Sequence, residues 1–261
     1  MKLCRIIEKL DLDFPRKLAC GWDNCGLLVG DTEAEIDTVL VSLDVTDACI
    51  DRAVRDHARL ILTHHPLIFM PLRQICEQDF IARRVRKMIR NDINYFAMHT
   101  NFDIAKMADL NAEDLELKSP ELLWPERTDK NGEPCGFGRI GTVEGEPTLA
   151  EFAGKVKKAM RLPFVRISGD PDRVIRVGAV SSGAGKGAVS DALRKGADVL
   201  VTGDLDYHTA IDAVAQGLTL IDAGHYGTEF TYIRYMEKYM RENFPELTCL
   251  AMDIRQPYEV V

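Results

Sequence analysis

From residue 36 onward, short runs of β-branched and aliphatic residues alternate with longer amphipathic stretches, the pattern of parallel strands joined by helices. Residues 37–43 predict a strand, Thr46 is placed to cap a helix running to about Ala58, and residues 59–63 predict the next strand. A second helix is predicted over 79–90, where Ile81, Val85, Met88 and Ile89 share one face, and it leads into a third strand at 94–98. Between 118 and 136 the periodicity lapses into turn formers: Ser119-Pro, Trp124-Pro and the run from Thr128 to Gly136. That stretch is the expected domain boundary. It gives an N-terminal α/β lobe over 1–125 and a C-terminal α/β lobe over 126–261, with the C-terminal segment left open to pack back on the first lobe. The second half restarts with a strand at 138–143 and a helix opened by Thr148-Leu-Ala-Glu151, a capping-box spacing. Strands at 173–180, 198–202 and 218–222, with helices near 187–195, 207–216 and 228–243, complete an α/β reading.

Composition narrows the class. A chain of 261 residues with 46% hydrophobic and 28% charged residues has the makeup of a soluble globular protein with room for a real core. No apolar run approaches eighteen residues, and Arg5, Glu8 and Lys9 interrupt the first turn-lengths, so neither a membrane span nor a signal peptide is expected and a cytoplasmic location is. A net charge of −8 argues against a general nucleic-acid surface. The basic run Arg83-Arg-Val-Arg-Lys87 with Arg90 lies opposite the apolar face of its helix and reads as a solvated face. Seven scattered cysteines with no C-x-x-C pair suggest reduced thiols rather than a disulfide framework or zinc ribbon, Cys20 and Cys25 included. The segment Ser181-Ser-Gly-Ala-Gly-Lys-Gly187 lacks the Lys-Ser/Thr ending of a phosphate loop and reads as a tight turn between strand and helix.

In open α/β sheets the carboxyl ends of strands converge on a crevice, and this chain loads those ends with ligating side chains. One predicted strand is followed by His64-His65-Pro66, another by His99-Thr-Asn-Phe-Asp103, a third by Asp222-Ala-Gly-His225-Tyr-Gly-Thr-Glu229, and a fourth by Gly203-Asp204-Leu-Asp206-Tyr-His208. Imidazole and carboxylate without paired cysteines suit zinc, iron, manganese or cobalt. Adjacent His64 and His65, kept extended by Pro66, are expected to diverge, each facing one of two neighbouring ions. His225 and Glu229 share a helical face if Gly227 opens a helix, and Glu229 is then able to bridge. Each piece has a plainer alternative: strand-end histidines bonded to backbone, Asp103 as a helix N-cap, His225 with Glu229 as a surface pair. Their joint occurrence behind strands favours a metal centre.

The segments Gly21-Trp-Asp-Asn-Cys-Gly-Leu-Leu-Val-Gly30, Leu62-Thr-His-His-Pro-Leu67, His99-Thr-Asn-Phe-Asp103 and Leu220-Ile-Asp-Ala-Gly-His-Tyr-Gly-Thr-Glu229 together resemble the four signature segments of the NIF-three-like family, the type-two homologues of GTP cyclohydrolase I. The resemblance implies two linked α/β sub-domains with a dinuclear metal site in the cleft, usually assembled as a toroidal homohexamer. Carried over by position, the metal ligands are His64, His65, Asp103, His225 and Glu229, holding two divalent ions of zinc, iron or manganese. Larger relatives insert an extra domain mid-chain, so this chain resembles the short form. It departs from the family after Asp103, where Ile104-Ala-Lys-Met-Ala-Asp-Leu replaces a small glycine-rich turn and a reshaped loop is expected. The function implied is a dinuclear-metal hydrolase acting on an anionic, nucleotide-like or phosphorylated small molecule. His99, Asp222 and His208 are candidates to orient ligands or carry protons. The same ligands suit two alternatives, a metal-trafficking or delivery protein and a ring-shaped regulatory scaffold.

Overall fold

Leu3, Ile6 and Leu10 recur at helical spacing and are buried, and helix α1 (Leu3–Asp13) forms around them. In the computed structural model, which describes residues 1–129, 131–253 and 257–258, the chain divides into two units. The first holds Met1–Ala105 with Tyr232–Pro257 and the second Lys106–Thr231.

After α1 the first unit continues with β1 (Gly26–Val29), β2 (Thr38–Ser42), α2 (Asp47–Arg55), β3 (Leu60–Thr63), α3 (Phe80–Arg90), β4 (Asn94–Ala97) and the single turn α4 (Thr100–Phe102). Thr46 caps α2 by accepting from the Cys49 amide at 3.1 Å, as its position in the sequence predicts. Strands β2, β3 and β4 are parallel and in register, Ser42 beside Thr63 and Thr63 beside Ala97, so their carboxyl ends lie along one edge. Antiparallel β1 adds to β4, its exit at Gly30 (φ 132°) lying so close to Asn94 that a Cβ there would sit 2.1 Å from the Asn94 amide oxygen. Several basic residues of α3 meet acids: Arg84 meets Asp47 at 3.2 Å, Arg86 meets Glu77 at 2.8 Å, and Lys87 pairs with Asp51.

In the second unit, α5 (Ala108–Asp114), β5 (Lys118–Thr128), β6 (Pro134–Thr142), α6 (Leu149–Ala159), β7 (Arg166–Ser168), β8 (Val177–Ala184), α7 (Val189–Arg194), β9 (Val199–Gly203), α8 (Tyr207–Ala215), β10 (Thr219–Asp222) and α9 (Gly224–Glu229) follow in order. The six-stranded sheet runs β5-β6-β8-β9-β10-β7, with β8, β9 and β10 parallel. Thr148 and Glu151 form the anticipated capping box at α6. The chain then returns to the first unit through α10 (Thr231–Asn243) and β11 (Thr248–Ala251), which pairs with β2 and completes the order β1-β4-β3-β2-β11.

One expectation changes. The boundary expected at 125/126 falls inside β5, and the units divide instead near 105 and 231. The turn-rich stretch misled because β5 is an edge strand, where Pro120 and Pro125 are tolerated and little but Leu123 is buried, so no alternating pattern marks it. The tight turn expected between strand and helix within 181–187 is the 3-10 turn Gly185–Ala188, with β8 running on to Ala184 before it. Gly185 is required there by contact, since a Cβ would lie 1.7 Å from the Thr202 hydroxyl.

Among the described residues, no helix is long and apolar enough to cross a membrane. Leu40, fully buried in β2, is expected to cost about 2–5 kcal/mol of unfolding free energy when replaced by Ala. Leu12→Ala on the exposed side of α1 should change it by no more than about 0.5 kcal/mol. Urea denaturation of both variants measures the contrast.

Candidate functional site

Because β2, β3 and β4 end along one edge, the residues just past them meet. His64 and His65 follow β3, His99 follows β4 and Asp44 follows β2. His64, His65 and His99 each offer a ring nitrogen, and the three atoms lie within 4.8 Å of one another. The expected divergence of His64 and His65 does not occur: their ring centroids are 4.9 Å apart. The strand has already ended at Thr63, and the Thr63 and Tyr95 hydroxyls both donate to the His65 carbonyl at 2.8 Å, bending the chain where strand alternation would have separated the side chains. Asp103 is not a helix N-cap. It begins a π-helical turn, Asp103–Met107, and its Oδ1 stands 3.5 Å from His64 Nε2. The apolar Ile104 and Met107 are buried in that π turn.

Each of these imidazoles is held through Nδ1. His64 Nδ1 lies 2.9 Å from the Met98 carbonyl, His65 Nδ1 3.0 Å from Asp44 and His99 Nδ1 2.9 Å from Asp23. A carbonyl or carboxylate oxygen accepts, so Nδ1 carries the proton and Nε2 keeps its lone pair. Asp23 has a buried side chain and also accepts from the Thr100 amide and hydroxyl and from the Cys25 thiol at 3.0 Å. Burial pushes the Asp23 carboxyl up, but the hydrogen bonds it accepts from His99, Cys25 and Thr100 outweigh it and hold the group below the usual carboxylate range. Burial, then the bond to Asp23, raises Cys25 to about 12, so it is a protonated donor and not a soft thiolate ligand.

The second unit repeats the device at the ends of its own parallel strands. His225, in α9, has Nδ1 2.8 Å from Asp204 Oδ2 and Nε2 3.2 Å from Glu229 Oε1. Asp204 follows β9 in the left-handed region (φ 54°), which short polar residues tolerate best. Glu229 is buried, with a side chain 4% exposed. The helix opens at Gly224, three residues before the expected Gly227, which is instead packed against Leu162. Asp222 accepts from the Gly224 amide at 2.9 Å, the Leu205 amide at 3.3 Å and Arg166, joining the loop of Asp204 to the start of α9. Gly183 (φ 63°) approaches so closely that a Cβ would lie 2.6 Å from Glu229 Oε1. His208 stands apart from the metal-type groups found among the described residues, exposed on the first turn of α8 with its ring 5.4 Å from Tyr207.

Sequence reading did not single out Asp23, Asp44 and Asp204 as partners of these histidines. Asp44 and Asp204 carry the same strand-end signal as the histidines they hold, whereas Asp23 lies 76 positions from His99 and no spacing links them.

The family model described as Duf34/NIF3 (NGG1p interacting factor 3) matches residues 1–257. The chain belongs to the Duf34/NIF3 family. A Clostridium acetobutylicum protein named GTP cyclohydrolase 1 type 2 homolog is 35% identical, over 90% of this chain and 87% of its own. A Clostridium perfringens protein of the same name is 32% identical with both chains covered in full. Among solved structures, a Bacillus cereus protein related to NIF3 matches with a TM-score of 0.93 at 26% identity, covering 100% of this chain and 99% of that one. Reduced HcgD from Methanocaldococcus jannaschii matches at 0.83 and 31% identity, covering 97% of this chain and 98% of its own. This Duf34/NIF3 chain shares the mixed α/β fold of those neighbours.

The state of Cys25 has a direct test. A thiol with a pKa of about 12 presents roughly one thiolate in ten thousand at pH 8. Cys25 should therefore resist iodoacetamide at pH 8 in the folded protein and label rapidly once urea unfolds it, as read by peptide mass spectrometry. Rapid labelling of the folded chain would contradict the assigned bond to Asp23.

Proposed function

We propose that this protein is a dinuclear divalent-metal-dependent hydrolase acting on a nucleotide-like or phosphorylated small molecule, with His64, His65, Asp103, His225 and Glu229 as metal ligands. The observation that carries the reading is the fixing of Nδ1 in His64, His65, His99 and His225 by a carbonyl or carboxylate oxygen. Metal-ligating histidines almost always donate their second nitrogen to such a partner, which fixes the tautomer and raises the basicity of the other nitrogen. The donor set of imidazoles and carboxylates, with Cys25 held protonated, fits zinc, iron or manganese. Two such ions supply activation of water at neutral pH and charge neutralisation on a substrate oxygen.

The chain's own residues do the remaining work. Asp23 holds the proton on His99 Nδ1, leaving Nε2 to accept a proton from a water or substrate group. Asp222 acts as a positioning residue, tying the Asp204 loop to α9 and so fixing His225. His208 has no part in this reading. The relatives' name, GTP cyclohydrolase 1 type 2 homolog, supports hydrolysis of a nucleotide, and a toroidal hexamer belongs to the proposal through the family resemblance alone.

Elemental analysis of the purified protein is expected to find two ions per chain, and one or none would overturn the dinuclear reading. Tightly held ions together with turnover that is lost in His65→Ala mark a hydrolase, whereas rapid transfer of the ions to an acceptor without turnover marks a delivery protein. Asp44→Ala and Asp204→Ala, which leave all five ligands in place, should each weaken metal affinity by about 10–100-fold. Competition with a chromophoric chelator measures that loss, and unchanged affinity in both would remove the support that the Nδ1 bonds give.

A further inference from the structure

A cavity of about 670 Å³ opens in the first unit beside β1, α3 and the connection from β3 to α3. Leu28 of β1, Val85 and Ile89 one turn apart on α3, and Leu72 and Ile75 of the connection give it an aliphatic wall. Ile89, which the periodicity of α3 assigns to the buried face, is instead 56% exposed, and Ile75 is 57% exposed. Arg59, Asp31, Asp92 and Asn94 supply the polar part of the lining, Arg59 and Asn94 standing where β3 and β4 begin. The histidines lie past the carboxyl ends of these same two strands, so the cavity is separate from the candidate metal centre.

Its volume falls in the range of small-molecule sites, roughly 300–1,000 Å³, and its make-up is theirs, a mainly apolar wall with a few placed polar groups. The Arg59 guanidinium is the group that points to a ligand. Its Nε is buried with no acceptor among the described residues, and its ion pair with the exposed Asp92 is stretched to 4.0 Å. A planar carboxylate can accept from Nε and a terminal nitrogen of a guanidinium together. Asn94 does not compete for that role, because its Nδ2 donates to the Arg59 carbonyl at 3.0 Å and its Oδ1 accepts from the Asp31 amide at 2.9 Å. Those two bonds fix the backbone that carries Arg59 and Asp31 before any ligand arrives. Asp31 and Asp92 are both exposed, and two carboxylates beside one guanidinium disfavour a doubly charged head such as a phosphate monoester.

We propose that this cavity is a binding site for an aliphatic monocarboxylate, with the carboxylate on Arg59 and the chain along Leu28, Leu72, Val85 and Ile89. Such a molecule answers both parts of the lining at once: its single negative charge gives Arg59 Nε an acceptor, and each methylene takes apolar surface of chain and wall out of water. An alcohol of equal length covers the wall but brings no charge to the guanidinium. An amine of equal length brings a second cation beside it. The inference goes beyond the hydrolase reading and does not rest on it, since none of the proposed metal ligands lines the cavity.

Isothermal titration calorimetry of the full chain with hexanoate and octanoate tests the site. Affinity should rise about four-fold per buried methylene, so octanoate should bind roughly 16-fold more tightly than hexanoate. Octan-1-ol and octylamine should each bind roughly ten-fold more weakly than octanoate, or worse. Arg59→Gln should lose roughly ten-fold in octanoate affinity and leave octan-1-ol binding unchanged. Leu72→Trp, at a half-buried position of the connection, fills the cavity and should abolish binding of all four compounds. Urea midpoints equal to the parent's show that either variant is folded, and the ligand series on the unaltered chain stands without them. The inference is overturned if affinity does not rise with chain length, if octan-1-ol or octylamine binds as tightly as octanoate, or if both folded variants bind octanoate as the parent does. Octanoate binding that survives in a chain without metal supports the site while the dinuclear reading falls. Two ions per chain without octanoate binding would overturn the site and leave the metal reading standing.

Discussion

An imidazole can serve a site only if one ring nitrogen is held while the other is presented, and here the holding atoms are oxygens delivered by sheet register. Ser42, Thr63 and Ala97 are neighbours at the ends of three parallel strands, so the residues that follow them, Asp44, His64 with His65, and Met98 with His99, are brought to one edge. The Met98 carbonyl and the Asp44 carboxylate then take the Nδ1 protons of His64 and His65. A one-residue slip of β3 against its neighbours would turn every side chain to the opposite face and break these pairings together. The second unit uses the same arrangement at β9 and β10, where Asp204 holds His225.

Buried acids close to these histidines are costly unless each is satisfied, and the surrounding glycines and amides reflect that demand. Asp23 collects donors from His99, Thr100 and Cys25, and Asp222 from Gly224, Leu205 and Arg166. Gly183 leaves room for the Glu229 carboxylate, while its amide donates to the Thr228 hydroxyl at 2.8 Å and helps fix α9 against β8. The charges of α3 contrast with this economy of placement. They lie on the surface opposite Asp47, Asp51 and Glu77, where ion pairs are worth only about 0–1 kcal/mol, consistent with a solvated helix face.

Much of the scaffold was legible because burial on both faces writes itself into the chain as continuous apolar runs. Strands β2, β3, β4, β9 and β10 are such runs, each expected within a residue or two of its observed ends. Elements at sheet edges were less legible: β1, β5 and β7 have half-exposed or exposed positions, and β5 carries two prolines. The histidines were found by their place after strands, and so were Asp103, Asp222 and Glu229 as candidate acids. The rings' actual approach was not, because His64 and His65 lie beyond the last strand residue, where alternation no longer dictates direction.

The sequence by itself determined the family, the α/β pattern, and which strand ends carry imidazoles and carboxylates, since each of those is a local property of residue order and apolar period. Tertiary structure decided where the units divide, that β11 closes the first sheet beside β2, and which oxygen holds each imidazole. The pairing of His99 with Asp23 shows the reason most plainly. A hydrogen bond across 76 positions depends on how separate strands and turns are brought together, and no periodicity within either segment records that meeting.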